Sequence, residues 1–183
     1  MGLSFSDKKQ PVPGNPEVRL RDIVPIDTRA ILAIEEESFS EPWLPGEFLE
    51  FLRQKGHYGL VADILPYNPT VAYLLFSRDE KNGYDLTIAN MAVNRQYRRL
   101  GLASRLISIL VHAILQGGKK GRIITEVGDT NLVAHLFLAA NGFRAVRMVR
   151  NGFRYENGDT EDLYRFVWRP RRSSIGRDGR RAA

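Results

Sequence analysis

The chain has 183 residues, 43% of them hydrophobic and 26% charged, the composition of one globular domain with room for a sizeable core. It has no cysteine, which excludes disulfides, thiolate metal sites and a cysteine nucleophile; its three histidines, His57, His112 and His135, lack a zinc-ligand spacing, so no metal is expected. The net charge of +6 is mostly a tail, because five arginines against Asp178 in residues 170–183 give +4 and leave +2 for residues 1–169. That distribution argues against a domain that reads nucleic-acid sequence.

Residues 1–16 carry Pro11, Pro13, Gly14 and Pro16 and read as a flexible lead-in, 17–169 as one domain, and 170–183 as a disordered basic tail. No apolar run is long enough to span a membrane: Leu106–Leu115 is short and broken by Ser108 and His112. A cytoplasmic protein without a membrane partner is the expectation. Val18 and Leu20 alternate with charged residues as a first strand. Asp27 is a candidate cap for a helix with Ile31, Ile34 and Phe39 inward and Glu35-Glu36-Glu37 as its solvated side. A proline-stiffened loop from Ser38 to Pro45 carries Trp43. A second helix follows, with Pro45 in its first turn, Phe48, Phe51 and Leu52 inward, and Gly56 just past its end.

Tyr58–Ile64 and Thr70–Ser77 read as strands, and Asn82-Gly83 predicts a tight hairpin into a buried strand over Leu86–Val93. Leu102, Leu106, Leu110 and Ile114 then repeat every four residues, marking a helix stopped by Gly117-Gly118. Arg122–Val127 is a further strand. Thr130 or Asn131 caps a short helix, Leu132–Ala140, closed by Gly142. Arg144–Arg150 and Glu161–Trp168 pair as strands around Asn157-Gly158. The element order βααβββαβαββ describes a mixed α/β (α+β) sheet flanked by helices.

Between the Leu86–Val93 strand and its helix runs Arg98-Arg99-Leu100-Gly101-Leu102-Ala103-Ser104. Gly101 has no side chain and Ala103 only a methyl, so a ligand can approach the backbone there. The first turn of the helix offers unpaired N–H groups at its positive dipole end, a natural seat for a phosphate or pyrophosphate.

With this motif in this element order, residues 17–168 resemble the GNAT superfamily of acetyl-CoA-dependent N-acetyltransferases. Further matches are Glu126 on the next strand, Asn131 five residues on, and Asn141-Gly142-Phe143 closing the following helix. The resemblance implies a mixed, largely antiparallel sheet splayed at its central strands. It also implies that Met91, Ala92 and Val93 pair with the pantetheine of acetyl-CoA, that Arg98, Arg99, Leu100, Gly101, Leu102, Ala103 and Ser104 surround its pyrophosphate, and that Asn131 meets the pantetheine. Two stretches, Ile34–Trp43 and Arg150–Asp162, are similar to the RimI subgroup, which acetylates the N-terminal amine of a ribosomal protein. A peptide or protein N-terminus is the acceptor this implies, with Phe39, Pro42 and Trp43 shaping its pocket, although Trp43 reads equally as a core plug. A small-molecule amine, or a non-catalytic CoA-binding module docked on the ribosome, are the alternatives.

In the chemistry this implies, Glu126, a carboxylate in an otherwise apolar strand, takes the amine proton through a water; a solvating strand-end glutamate is the plainer reading. A backbone N–H near Val93 meets the oxyanion. The RimI-type enzymes carry a tyrosine in the short helix as proton donor to the leaving thiolate, and here Leu138 stands in its place. Tyr155 or Tyr164 of the last hairpin, or water, are the substitutes, and loss of catalysis is the remaining possibility. His135, one turn before Leu138, either shares its face or, the commoner case for such a histidine, is simply exposed.

Overall fold

The computed structural model describes residues 17–66, 69–118 and 120–171, so the expectations for 1–16 and 172–183 fall outside the described residues. The elements in chain order are β1 (Val18–Asp22), α1 (Thr28–Ser38), α2 (Pro45–Arg53), β2 (His57–Ile64), β3 (Thr70–Arg78), β4 (Leu86–Val93), α3 (Leu102–Gln116), β5 (Ile123–Gly128), α4 (Leu132–Ala140), β6 (Arg144–Arg154) and β7 (Thr160–Trp168). They form one seven-stranded sheet in the order β1-β2-β3-β4-β5-β7-β6. Every junction is antiparallel except β4/β5, the two strands joined through α3.

Two apolar clusters sandwich the sheet. On one face α3 buries Leu102, Leu106, Ile107, Leu110 and Ile114 against Leu60, Leu74, Phe76, Ile88 and Ile123. Each such side chain contributes about 2 kcal/mol relative to exposure. On the other face α1 and α2 bury Ile31, Ile34 and Phe48 against Val61, Tyr73, Leu75 and Ala92. The i, i+3 and i, i+4 spacings along these helices put the apolar residues on one stripe.

The same spacing corrects one sequence reading. Glu35 lies four residues after Ile31, so it shares that helix's inner stripe and is 1% exposed; only Glu36 and Glu37 form the solvated side. Asp27 also differs from expectation. It stands at the start of α1 but its carboxylate makes no cap bond, turning back to accept from Arg21 at 2.6 and 2.8 Å and from the Val24 N–H at 2.9 Å. Nor is Asn82-Gly83 a two-residue hairpin. The link from Arg78 to Leu86 is longer because the Asp79 and Asn82 side chains accept nearby backbone N–H groups and build their own turns.

Candidate active site

The parallel junction is a hinge that opens. β4 and β5 pair only at Leu86↔Ile123 and Thr87↔Ile124, and the buried Thr125 hydroxyl still reaches the Ile88 carbonyl at 3.3 Å. Beyond that point the strands part. The closed end is pinned by Asp85, which accepts from the Arg122 N–H and Nε, both at 2.9 Å. On its other side β4 pairs with β3 through a bulge between Leu75 and Phe76, opposite Ala89-Asn90. The Asn94 N–H bonds to Val71 on β3; because N–H direction alternates along a strand, the Val93 N–H points into the open gap. Met91 shares that direction, but its N–H is taken by the Asn90 side chain at 2.7 Å.

At the mouth of the gap sits the N-terminus of α3. Gly101 occupies its cap position in the left-handed region, φ 72°, and Arg99 precedes it at φ 68°. No side chain caps the helix, and a Cβ built at Gly101 meets nothing within 4 Å. The first amides, Leu102, Ala103 and Ser104, therefore stand at an open dipole end that fits a pyrophosphate. Arg98 departs from the phosphate-holding role that the resemblance implies. Its Nε donates to the Val93 carbonyl at 3.0 Å and its other end to the Ser38 hydroxyl at 3.2 Å, so it ties the phosphate turn to β4 and α1. Asn131 caps α4, its Oδ1 accepting from the Ala134 N–H at 3.0 Å, which leaves its NH₂ to meet a ligand.

Glu126 lies on the sheet face opposite the α3 cluster, the face that α1 and α2 cover further along. Both Nε (2.8 Å) and a terminal nitrogen (2.7 Å) of Arg165, its register partner on β7, converge on Glu126 Oε1. Tyr155 is brought to that side as well, but its hydroxyl donates to Glu161 Oε2 at 2.7 Å. This bond, with some burial, pushes the phenol up to about 12. Glu161 also accepts the Thr130 hydroxyl at 2.5 Å and the Thr130 N–H at 3.2 Å, and the Thr130 and Tyr155 hydroxyls above all hold its carboxyl below the usual range. Gly128 allows this packing, because a Cβ there would run into the Glu161 carboxylate. Leu138 is 3% exposed within the α3-side core. His135, contrary to expectation, is half-buried, its Nε2 2.8 Å from the Gly128 carbonyl and its ring against Tyr164 and Phe166.

Phe39 and Trp43 pack under the α1–α2 loop, with the indole edge-on to Phe51 at 5.4 Å, and Pro42 is half-buried between them and solvent. Sequence reasoning missed what holds this loop. Glu35 accepts the Trp43 N–H at 3.2 Å, the Asn90 NH₂ at 2.5 Å and the Tyr73 hydroxyl. Burial pushes its carboxyl up, against the lowering effect of those bonds. One side chain thus joins the loop, β3 and the β4 bulge. The loop reaches across the site as well, where Glu41 accepts the N–H of Glu156 in the β6–β7 turn at 2.9 Å.

A sheet splayed at its parallel junction, with an uncapped helix end at the mouth and a carboxylate on the adjoining strand, defines an acyltransferase domain. The model of the acetyltransferase (GNAT) family matches residues 28–143, and the chain belongs to that family. An uncharacterized N-acetyltransferase from Methanocaldococcus jannaschii is 29% identical over 133 residues, covering 73% of this chain and 81% of its own. The ribosomal-protein-S18-alanine N-acetyltransferase of Escherichia coli is similar in structure, with a TM-score of 0.70 at 19% identity over 83% of this chain and 93% of that one. So is Arabidopsis thaliana NAA60 in complex with a bisubstrate analogue, at TM-score 0.70, 19% identity and 83% and 97% coverage. The spermidine/spermine N-acetyltransferase SpeG of Vibrio cholerae follows at 0.65, 16% identity and 83% and 92% coverage. At these identities the likeness is one of fold. Among the described residues no helix is long and apolar enough to cross a membrane.

Proposed function

We propose that this acetyltransferase moves acetyl from acetyl-CoA to the N-terminal amine of a protein or peptide, with a ribosomal protein among the candidate acceptors. The observation that carries the acyl-transfer reading is the uncapped start of α3 at the mouth of the β4/β5 gap, with the Val93 N–H turned into that gap. When bound, acetyl-CoA supplies the thioester carbonyl. The amides of Leu102 to Ser104 hold its pyrophosphate, Asn131 and the β4 edge at Met91–Val93 hold the pantetheine, and the Val93 N–H donates to the carbonyl oxygen as charge develops on it. Glu126, oriented by Arg165, takes the amine proton directly or through one water. Tyr155 is a poor acid for the departing thiolate, since its proton is engaged by Glu161 and its pKa is above that of a thiol. Water supplies that proton.

A peptide acceptor is supported by the bond between Glu41 and the Glu156 N–H, which ties together the α1–α2 loop and the β6–β7 turn, the two segments that would flank an acceptor peptide. A small polycation would need a base free of a cationic partner, and here Glu126 is met by Arg165. The test is to incubate the full chain with acetyl-CoA and a panel of peptides and small amines while following free thiol. Thiol release with peptides, falling about 10²-fold in Glu126→Gln with an unchanged KM for acetyl-CoA, supports the reading. Undiminished turnover in that variant removes Glu126 from the mechanism, and acetyl-CoA binding without thiol release from any acceptor points to a non-catalytic module.

A further inference from the structure

α1 and α2 cover β2, β3 and β4, leaving the β5–β7–β6 half of that sheet face open beside the acceptor groove. β6 is exposed along its length save for the half-buried Val149 and carries Arg144, Arg147, Arg150 and Arg154. The register decides which of these face Glu126. Phe166 on β7 points into the α3-side core, so Arg165 points the other way, and its partner on β6 is Arg147. A row therefore runs across three strands on one face: Glu126, Arg165, Arg147. Glu126 occupies Arg165, and among the described residues no carboxylate pairs with Arg147. Like charges directly opposite across a strand pair repel, and Glu126 offsets only the Arg165 member of this pair, so the Arg147 charge stays unmatched.

We propose that the acceptor is an N-terminus with an acidic residue close behind it, whose carboxylate is held by Arg147. The distance fits. Strands lie about 4.8 Å apart, so Arg147 is roughly 10 Å from Glu126 across β7. An extended peptide advances about 3.4 Å per residue, so an amine at Glu126 places its second to fourth residues over Arg147. A guanidinium fork matches a carboxylate with two parallel hydrogen bonds, and a lysine in the same place is repelled.

This inference rests on the peptide reading above, and the experiment separates the two. Full-length protein is given acetyl-CoA and matched peptides that differ only at positions two to four, Asp/Glu against Lys, with kcat/KM read from thiol release and peptide mass. The acidic peptide is expected to win by about tenfold at low salt, less at high salt. Arg147→Glu is expected to erase or invert that ratio and Arg147→Ala to reduce it; because the ratio is taken within one variant, partial unfolding cancels. Equal use of both peptides by the wild type, preference for the lysine peptide, or an unchanged ratio in both variants overturns the inference while the peptide reading stands. Acetylation of small amines with no peptide accepted overturns both.

Discussion

Replacing Glu35 by alanine tests whether the buried carboxylate is the fastening between acceptor loop and acetyl-donor strand. The substitution strands the Tyr73 hydroxyl, in a side chain 0% exposed, together with the Asn90 NH₂ and the Trp43 N–H. A buried donor left without an acceptor costs about 1–3 kcal/mol, and with two of the three only half-buried the total comes to about 3–4 kcal/mol. For a domain of this size that is a fall of roughly 10 °C in Tm. Urea unfolding measures the loss, and transfer kinetics locate it: the KM for the peptide rises more than that for acetyl-CoA, because the Trp43 loop is freed. Glu35→Gln keeps the volume and an acceptor, and costs about 1 kcal/mol. The pH dependence has a definite sign. Burial raises the folded pKa of Glu35 above its unfolded value, so this group's stabilisation is complete below about pH 4.5 and is lost as pH rises through the folded pKa. The Gln variant, which does not titrate, therefore gains on the wild type with rising pH. An alanine variant within about 0.5 kcal/mol of wild type, or a Gln difference independent of pH, refutes the reasoning.

Gly101→Val forces a β-branched residue into the left-handed region at φ 72°, costing about 1–2 kcal/mol and raising the KM for acetyl-CoA about tenfold; an unchanged KM removes this turn from the binding site. Asp27→Asn removes one of the two carboxylates that meet Arg21, and because Asp63 still pairs with that guanidinium it lowers stability by about 1–2 kcal/mol at pH 7. Burial works against it, but the bonds from Arg21 and Val24 hold the Asp27 carboxyl below the usual range; its contribution is present above about pH 4 and lost as pH falls through the depressed value, so acid titration of both proteins should show the gap closing. Tyr155→Phe should keep kcat within about threefold, and a fall of 10² or more would make Tyr155 the thiolate's proton donor after all.

The four-residue repeat of α3, the strand–turn–helix around Gly101 and the order of elements were legible because each is written in local spacing. The splay was implied by resemblance only, since it depends on how many residues of β4 and β5 pair. Glu35 was hidden by its neighbours. Three consecutive glutamates read as a solvated face, although counting four residues on from Ile31 would have placed the first of them inside. Arg98 misled for another reason. The motif names the residue but not its rotamer, and the nearby Val93 carbonyl and Ser38 hydroxyl compete with a phosphate for the same guanidinium. The pairing of Arg165 with Glu126 needed the register of β5 on β7, two strands separated in sequence by α4 and β6.

That contrast follows from what each half of the site is made of. In the proposed reading the donor side is backbone: the Val93 N–H, the first amides of α3 and the space left by Gly101. Backbone donors survive almost any side-chain substitution, and the fold itself is shared with the E. coli and Arabidopsis structures at 19% identity. In the same reading the acceptor side is side chains, Glu126, Arg165, Arg147 and Glu41, each able to change charge by a single substitution without moving a strand. Family membership therefore speaks for the acetyl donor and says little about the amine. The acceptor has to be read from the charges this chain itself presents, and across β5, β7 and β6 those are Glu126, Arg165 and Arg147 in a row.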